Sequence, residues 1–356
     1  MRAALGLVVL LAVGATLVSG GSRDDSVRYR YLPETNMLRT LSVYGTERVV
    51  TVRSLGEPGL VDARPRWLAA ARPLGAGAPA WARRMYERSL LVLRALTDQR
   101  TGAVLAGARD GWAYVWPRDA GAVALAFASA GYRGEARRIA HFLLGLDLGA
   151  AARFHADGSP VDSRDAQGDA AGWVTAAARA AGLPDRPVSL PWRDLADHQE
   201  GDDGTYLANA IAAGDDLSPF ATYRGLVREA GDPDSGLDSA TAWAVQPFPQ
   251  PSFFPLARRS LLRLAARSGR YGIVPSESWT GGDDPWTAPT AWTAWGLAAL
   301  GERPAALRLM AALRRTATPS GLLPERVDVH TGTPTSTTPL AWSHAFAILA
   351  LRELWP

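Results

Sequence analysis

From Pro79 to its end the chain keeps to one pattern: Ala-rich runs with apolar residues at helical spacing, parted by Gly, Pro or Asp. No other feature constrains the fold as tightly, because each such run hides one face and must find partners to cover it. The spacing predicts helices near 79–97, 119–131, 133–146, 168–181, 204–213, 218–230, 237–246, 253–268, 287–300, 303–316 and 340–354, with a short one at 190–198. Ala on the packing faces lets helices approach closely. No fixed repeat period is visible, which argues against a regular solenoid. The class expected is all-α, a double ring of helices or (α/α)6 toroid. Inner and outer helices would bury the core, and loops at one end would carry the chemistry.

The segment before Pro79 reads differently. Arg2 precedes an unbroken apolar run to Val18, followed by Ser19-Gly20-Gly21-Ser22. A short positive start, an apolar stretch and small residues suit a signal peptide with a cut after Gly20, or an uncleaved membrane anchor. Both place the body outside the cytoplasm. Alternation in Val27-Arg28-Tyr29-Arg30-Tyr31 and Val49-Val50-Thr51-Val52 suggests two or three strands or an extended arm, and Pro and Gly between Glu57 and Pro79 suggest a linker. The division expected is 1–20 leader or anchor, 21–77 arm and linker, and 78–356 helical catalytic domain.

Charge narrows the partners. The 38 basic residues are all Arg, scattered among 35 acids for a net charge of +3, whereas a nucleic-acid surface needs clustered cations. The absence of Cys excludes disulfides and thiolate metal sites. Neither a metal nor a cofactor is expected, and the protein is expected to act as a monomer.

Four loop passages hold the chemistry-bearing residues. In Arg109-Asp110-Gly111-Trp112-Ala113-Tyr114-Val115-Trp116-Pro117-Arg118-Asp119-Ala120, aromatics stand beside an Arg-Asp pair. Rings beside a charged donor–acceptor pair suit a ligand that offers both apolar faces and hydroxyls. Asp119 could equally cap the following helix, with Arg118 as its ion-pair partner. Gln167 and Asp169 stand at a helix start, where capping competes with ligand contact. The third passage runs Tyr271-Gly272-Ile273-Val274-Pro275-Ser276-Glu277-Ser278-Trp279 and continues to Pro285-Trp286. The fourth, Gly321-Leu322-Leu323-Pro324-Glu325-Arg326, leads through Gly332 and Pro334 to Pro339-Leu340-Ala341-Trp342-Ser343-His344. It is a loop entering an apolar helix, with Glu325 available for acid–base work or for a pair with Arg326.

These passages resemble the closing and opening signatures of the glucoamylase-like glycoside hydrolases of family 15. Tyr114 to Ala120 is similar to the family's first signature almost letter for letter, and Leu323-Pro324-Glu325 with Trp342-Ser343-His344 to its last. Gln167 and Asp169 match its Gln-x-Asp passage. Glu277, Trp279 and Pro285-Trp286 match part of a pocket-lining segment whose Arg and adjacent Asp this chain lacks. Ser235-Gly236-Leu237-Asp238 resembles a helix start of bacterial members.

The resemblance implies that Glu325 is the catalytic base. It also implies sugar contacts for Tyr114, Trp116, Arg118, Asp119, Gln167, Asp169, Glu277, Trp279, Trp342 and His344. The family's acid-bearing Asp-Leu-Trp-Glu string is missing. Glu200 is the expected acid, with Asp202 and Asp203 as rivals or helix caps. The activity implied is that of an exo-acting, inverting hydrolase that releases glucose from α-glucosides of an oligo- or polysaccharide. Without its acid, the same scaffold would be a saccharide-binding or envelope protein.

Overall fold

Helices apolar on every side and helices apolar on one side alternate along this chain, and the fold sorts them into two layers. The computed structural model describes residues 28–32, 37–41, 50–51, 67–107, 111–161, 164–184, 188, 190 and 205–356. An antiparallel sheet of β1 (Arg28–Leu32), β2 (Met37–Leu41) and β3 (Val50–Thr51) comes first, with Tyr29 opposite Thr40. The helices then run α1 (Ala80–Leu96), α2 (Pro117–Ser129), α3 (Arg133–Leu144), α4 (Ala170–Ala180), α5 (Thr205–Ala213), α6 (Phe254–Ala266), α7 (Thr287–Ala299), α8 (Arg303–Thr316) and α9 (Ala341–Leu354). Among the described residues no helix is long and apolar enough to cross a membrane.

Helices α2, α7 and α9 are buried nearly all round. Helix α3 instead buries Ala136, Ile139, Ala140 and Leu143 at a 3–4 spacing, and α1, α6 and α8 are one-sided in the same way. The all-round helices belong inside. Helix α2 packs on α4, α4 on α5, α5 on a 3₁₀ segment at Ser239–Ala244, that segment on α7, α7 on α9, and α9 back on α2. This closes a ring. Outside it, α1 covers α9, α3 covers α2 and α4, α6 covers the 3₁₀ segment and α7, and α8 covers α7. The chain is an all-α toroid of the (α/α)6 type.

Aromatic rings fill the middle. Trp173 of α4 meets Trp243 edge-on at 5.1 Å, Trp243 meets Trp292 of α7 at 5.2 Å, and Trp292 meets Trp342 of α9 at 5.1 Å. Phe346 packs against Trp292 at 5.4 Å. Edge-to-face pairs of this kind add to what area burial alone supplies. Where α4 and α5 touch, a Cβ on Gly172 would lie 2.3 Å from the Ala212 carbonyl oxygen, so only Gly permits the approach.

Two predicted helices fold otherwise. Residues 218–230 give a 3₁₀ turn at Ser218–Phe220 and then β4 (Val227–Glu229), paired with β5 (Asp232–Leu237). Gly225 (φ +146°) and Gly231 (φ +75°) break the helical path, and a Cβ on Gly225 would strike Ser260. The predicted 237–246 helix is the short 3₁₀ segment, started by Asp238 accepting from Ala240 N–H at 2.7 Å and stopped by Pro247, Pro249 and Pro251. The expected helix at 190–198 falls outside the described residues except for Leu190.

The stretch expected as a linker is anchored from Trp67 onward. Its ring stacks on Tyr132 at 4.1 Å, and its Nε1–H donates to Glu135 at 3.2 Å. The far end of the chain returns to the same side. Gly75 N–H donates to the Trp355 carbonyl at 3.1 Å, Arg352 donates to the Pro73 carbonyl at 2.7 Å, and Trp81 packs edge-on against Trp355 at 5.8 Å.

Candidate active site

The inner helices deliver their N-terminal ends to one face of the ring. There a cavity of about 420 Å³ is lined by Trp112, Trp116, Arg118, Asp119, Arg153, Arg164, Trp279, Trp286, Glu325, Arg326 and Trp342, with Ala106, Gly111 and Leu340. Arg118 and Asp119 come from the first turn of α2, which begins with Pro117, a residue whose fixed φ suits that position. Trp286 immediately precedes α7, and Trp342 opens α9.

Glu325 sits on a loop clamped from three sides. Its N–H donates to the Thr337 carbonyl at 2.9 Å, and its carbonyl accepts from Thr287 N–H at 3.0 Å. The Thr287 hydroxyl also donates to the Pro324 carbonyl and lies 2.7 Å from Ser343 Oγ. The carboxylate accepts from Trp112 Nε1–H at 3.2 Å on Oε1 and from the Ser336 hydroxyl on Oε2. Arg326 Nε lies 3.8 Å from Oε2. These donors orient the carboxylate, which lines the cavity.

Beside it, Arg118 pairs with Asp169 at 3.0 Å and lies 4.7 Å from the centre of the Trp342 ring, over its face. Its partner is therefore Asp169, not Asp119. Nor does Asp169 cap α4 through its side chain. It stands behind Arg118 and fixes the guanidinium from below. Asp119 lines the cavity, and burial pushes its carboxyl up to about 7, against the pull of Arg118 and helped by Asp169 and Glu325. Near neutral pH it can thus present either an O–H donor or an anion.

Of the residues read from the sequence, Trp116, Arg118, Asp119, Trp279, Glu325 and Trp342 reach the cavity wall. Tyr114 packs edge-on behind Trp116 at 6.3 Å, and Gln167 is buried ahead of α4 away from the wall. Two assignments are corrected. Glu277 does not face the cavity: it accepts from Arg224 at 2.6 Å, Arg267 at 2.9 Å and Leu237 N–H at 3.1 Å, a clamp on β5 and the loop after α6.

His344 is wholly buried, its Nε2 accepting from Leu323 N–H at 2.9 Å and its Nδ1 lying 2.9 Å from Ser89 Oγ. This fixes the Nδ1–H tautomer, and burial, with Arg88 nearby, holds the ring down at about 3. It is a buckle for the Glu325 loop. Glu200, Asp202 and Asp203, the candidates for the acid, lie outside the described residues. Trp112, Arg153, Arg164 and Trp286 join the wall without having been singled out, and Arg326, read only as a partner for Glu325, joins it too. Trp112 and Trp286 stood inside the quoted motifs, so their aromatic type next to Gly and Pro was the available signal. Arg153 and Arg164 had none.

The model for glycosyl hydrolases family 15 matches residues 80–146, which carry α1 to α3 and the Arg118-Asp119 pair. Among solved structures, a wild-type glycosidase superposes with a TM-score of 0.60 at 22% identity, over 78% of this chain and 99% of that one. A bacterial glucoamylase in complex with acarbose gives 0.60 at 17% identity, over 85% of this chain and 60% of that one. The glucoamylase from Saccharomycopsis fibuligera gives 0.55 at 15% identity, over 77% and 94%. No curated protein matches by sequence. The likeness to glucoamylase-like proteins read from the motifs thus recurs in the family match over the first helices and in the fold of the whole toroid.

Proposed function

We propose that this chain, folded as glucoamylases fold, is an extracytoplasmic, exo-acting glycoside hydrolase that releases glucose from α-glucosides with inversion. The observation that carries the proposal is Glu325: a carboxylate facing a cavity of about 420 Å³, held by Trp112 and Ser336, next to an Arg-Asp pair and an aromatic wall. Cavities of this size take small ligands, and one closed below by packed indoles suits the end of a saccharide.

Inversion needs a second carboxyl ~6.5–9.5 Å away, so that the base can hold a water against the anomeric carbon while the acid protonates the leaving oxygen. Glu325 is the base in this reading, and Glu200 on the segment before α5 is the acid. Arg118 and Asp119 hold hydroxyls of the terminal ring, while Trp116, Trp279 and Trp342 cover its apolar faces. The apolar run after Arg2 supports export or tethering.

The test is product analysis on malto-oligosaccharides, isomaltose, dextran and trehalose, with the anomer followed by proton NMR. Early appearance of β-glucose supports the proposal, and release of the α-anomer rejects inversion. Sugar binding without turnover moves the chain to the saccharide-binding alternative.

A further inference from the structure

Arginines that are scattered along the sequence are gathered by the fold onto one side of the ring. The exposed charged residues of α6 and of the position after it are Arg258, Arg259, Arg263 and Arg267, and those of α8 are Arg303, Arg308, Arg314 and Arg315. Neither helix contains an acid. The two lie side by side and parallel. Arg258 near the start of α6 pairs with Glu302 at the start of α8, and Arg315 near the end of α8 donates to the Arg270 carbonyl just past α6 at 3.3 Å. Arg267 pairs with Glu277, and the other six pair with no carboxylate of the described residues. Arg259, Arg303 and Arg315 donate to backbone carbonyls, which leaves their charge standing. Arg259, Arg263 and Arg267 follow one another at four-residue spacing, where like charges repel. A counter-charged surface laid along the wall would relieve that repulsion.

Beside the row stands Tyr223, 81% exposed and the only large hydrophobic side chain exposed among the described residues. Its carbonyl accepts from Arg259 at 2.6 Å, which sets it against the arginines. An anion in solution would satisfy guanidinium groups but offers a phenol ring nothing. A bilayer surface offers both: phosphates for the forks of N–H donors and, just beneath, an apolar layer for the ring. The wall has the reach for such a contact, since the 14 residues of α8 span about 21 Å.

We infer that the wall formed by α6 and α8, with Tyr223, docks on a membrane surface rich in anionic phospholipid. None of these residues lines the cavity, so the inference stands apart from the hydrolase reading.

The chain has no Cys, so a single one can carry an environment-sensitive NBD label. Ala266→Cys puts the label among the arginines, and His141→Cys puts it on α3, which covers other inner helices. Each labelled full-length chain is titrated with phosphatidylcholine vesicles, with the same vesicles containing phosphatidylglycerol, and with dextran sulfate. The label at 266 should brighten several-fold and shift to the blue on the anionic vesicles alone, and high salt should reverse the change. The label at 141 should stay as in buffer. Because the readout sits on the wall, attachment through the apolar run after Arg2 does not by itself produce it. Adding Arg263→Gln and Arg308→Gln should raise the lipid needed at least about ten-fold, since each arginine at such a surface is worth about five-fold. Arg133→Gln with Arg137→Gln, on α3, should change nothing. The inference is overturned by a label at 266 that ignores anionic vesicles, responds equally to neutral ones, responds no more than the label at 141, or survives the loss of Arg263 and Arg308. A response to dextran sulfate with none to anionic vesicles also overturns it, and assigns the wall to a soluble polyanion.

Discussion

Two loops on the same end of the ring each bury a glutamate, and both glutamates are about equally hidden. On the loop before α9, Glu325 meets an indole N–H, a hydroxyl and one cation beyond hydrogen-bond distance. On the loop before α7, Glu277 meets two guanidinium groups and a backbone N–H at hydrogen-bond distance. Burial alone therefore does not mark a carboxylate for chemistry. Both carboxylates are held on both oxygens, but guanidinium groups tie Glu277 into the framework off the cavity wall, whereas an indole and a hydroxyl orient Glu325 on that wall.

The sharpest way to break this contrast is to remove each charge in turn. Glu325→Gln should lower kcat by ~10²–10⁴-fold, the usual loss of a general base, with little change in melting temperature. Glu277→Gln should do the opposite, losing about 1–3 kcal/mol of stability while activity stays within a few-fold. The loss falls below the ~3–5 kcal/mol of a fully buried pair because Arg267 is 65% exposed and solvent screens its share. Denaturant melts beside steady-state rates would decide, and an unstable Glu325→Gln with a stable Glu277→Gln would reverse the assignment.

A smaller effect sharpens the role of the indole. Trp112→Phe keeps the ring but drops the donor to Glu325, and hydrogen bonds to charged groups contribute ~1.5–3 kcal/mol. A fall of roughly ten-fold or more in kcat, with KM nearly unchanged, is expected. An unaltered kcat would mean that Ser336 alone orients the base.

The smallest effect concerns stability against pH. The Asp119 carboxyl titrates at about 7 in the folded chain and near 3.8 when unfolded. Its contribution is thus fully present below about 3.8 and lost as pH rises through about 7. Asp119→Asn should therefore gain on the wild type at pH 8 compared with pH 4, by ~1–3 kcal/mol. His344 works the other way, losing stability as pH falls from 6.5 toward 3, but it is common to both proteins and cancels in the difference. An Asn variant that melts at the same offset from wild type at both pH values would show that Asp119 is not the group titrating.

The ring was legible because helical spacing survives wherever one face is buried. Segments 287–300 and 340–354 stand almost where spacing put them, and the predicted start at 119 moved only to Pro117. Spacing failed at 218–230 and 237–246, where glycines of positive φ and a run of prolines overrule apolar periodicity. In the site, Arg118, Asp119 and Glu325 could be found because local motifs name them. Glu277 and His344 belonged to the same motifs yet turned into the framework. A loop motif fixes which residues are near one another, not which way each side chain points. Direction came from partners far along the chain, Arg224 for Glu277 and Ser89 for His344. Arg153 and Arg164 reach the wall from the connection between α3 and α4, outside the quoted motifs, so no local pattern announces them.

The return of Trp355 to Gly75 gives the ring a property of circular objects: it has no natural seam. Helix α9 closes against both α1 and α2, so the gap between first and last helices is one more inter-helix junction, already hydrogen-bonded. Joining Pro356 to the residues just before Gly75 by a short linker, and opening the chain at exposed Gly301 between α7 and α8, should leave the ring order intact. In the natural order the cavity waits for α9, because Trp342 is on its wall and His344 buckles the Glu325 loop. In the permuted order α9 would already be joined to α1 and α2 when α7 closes the circle. The two chains would share a site and differ in the helix that completes it.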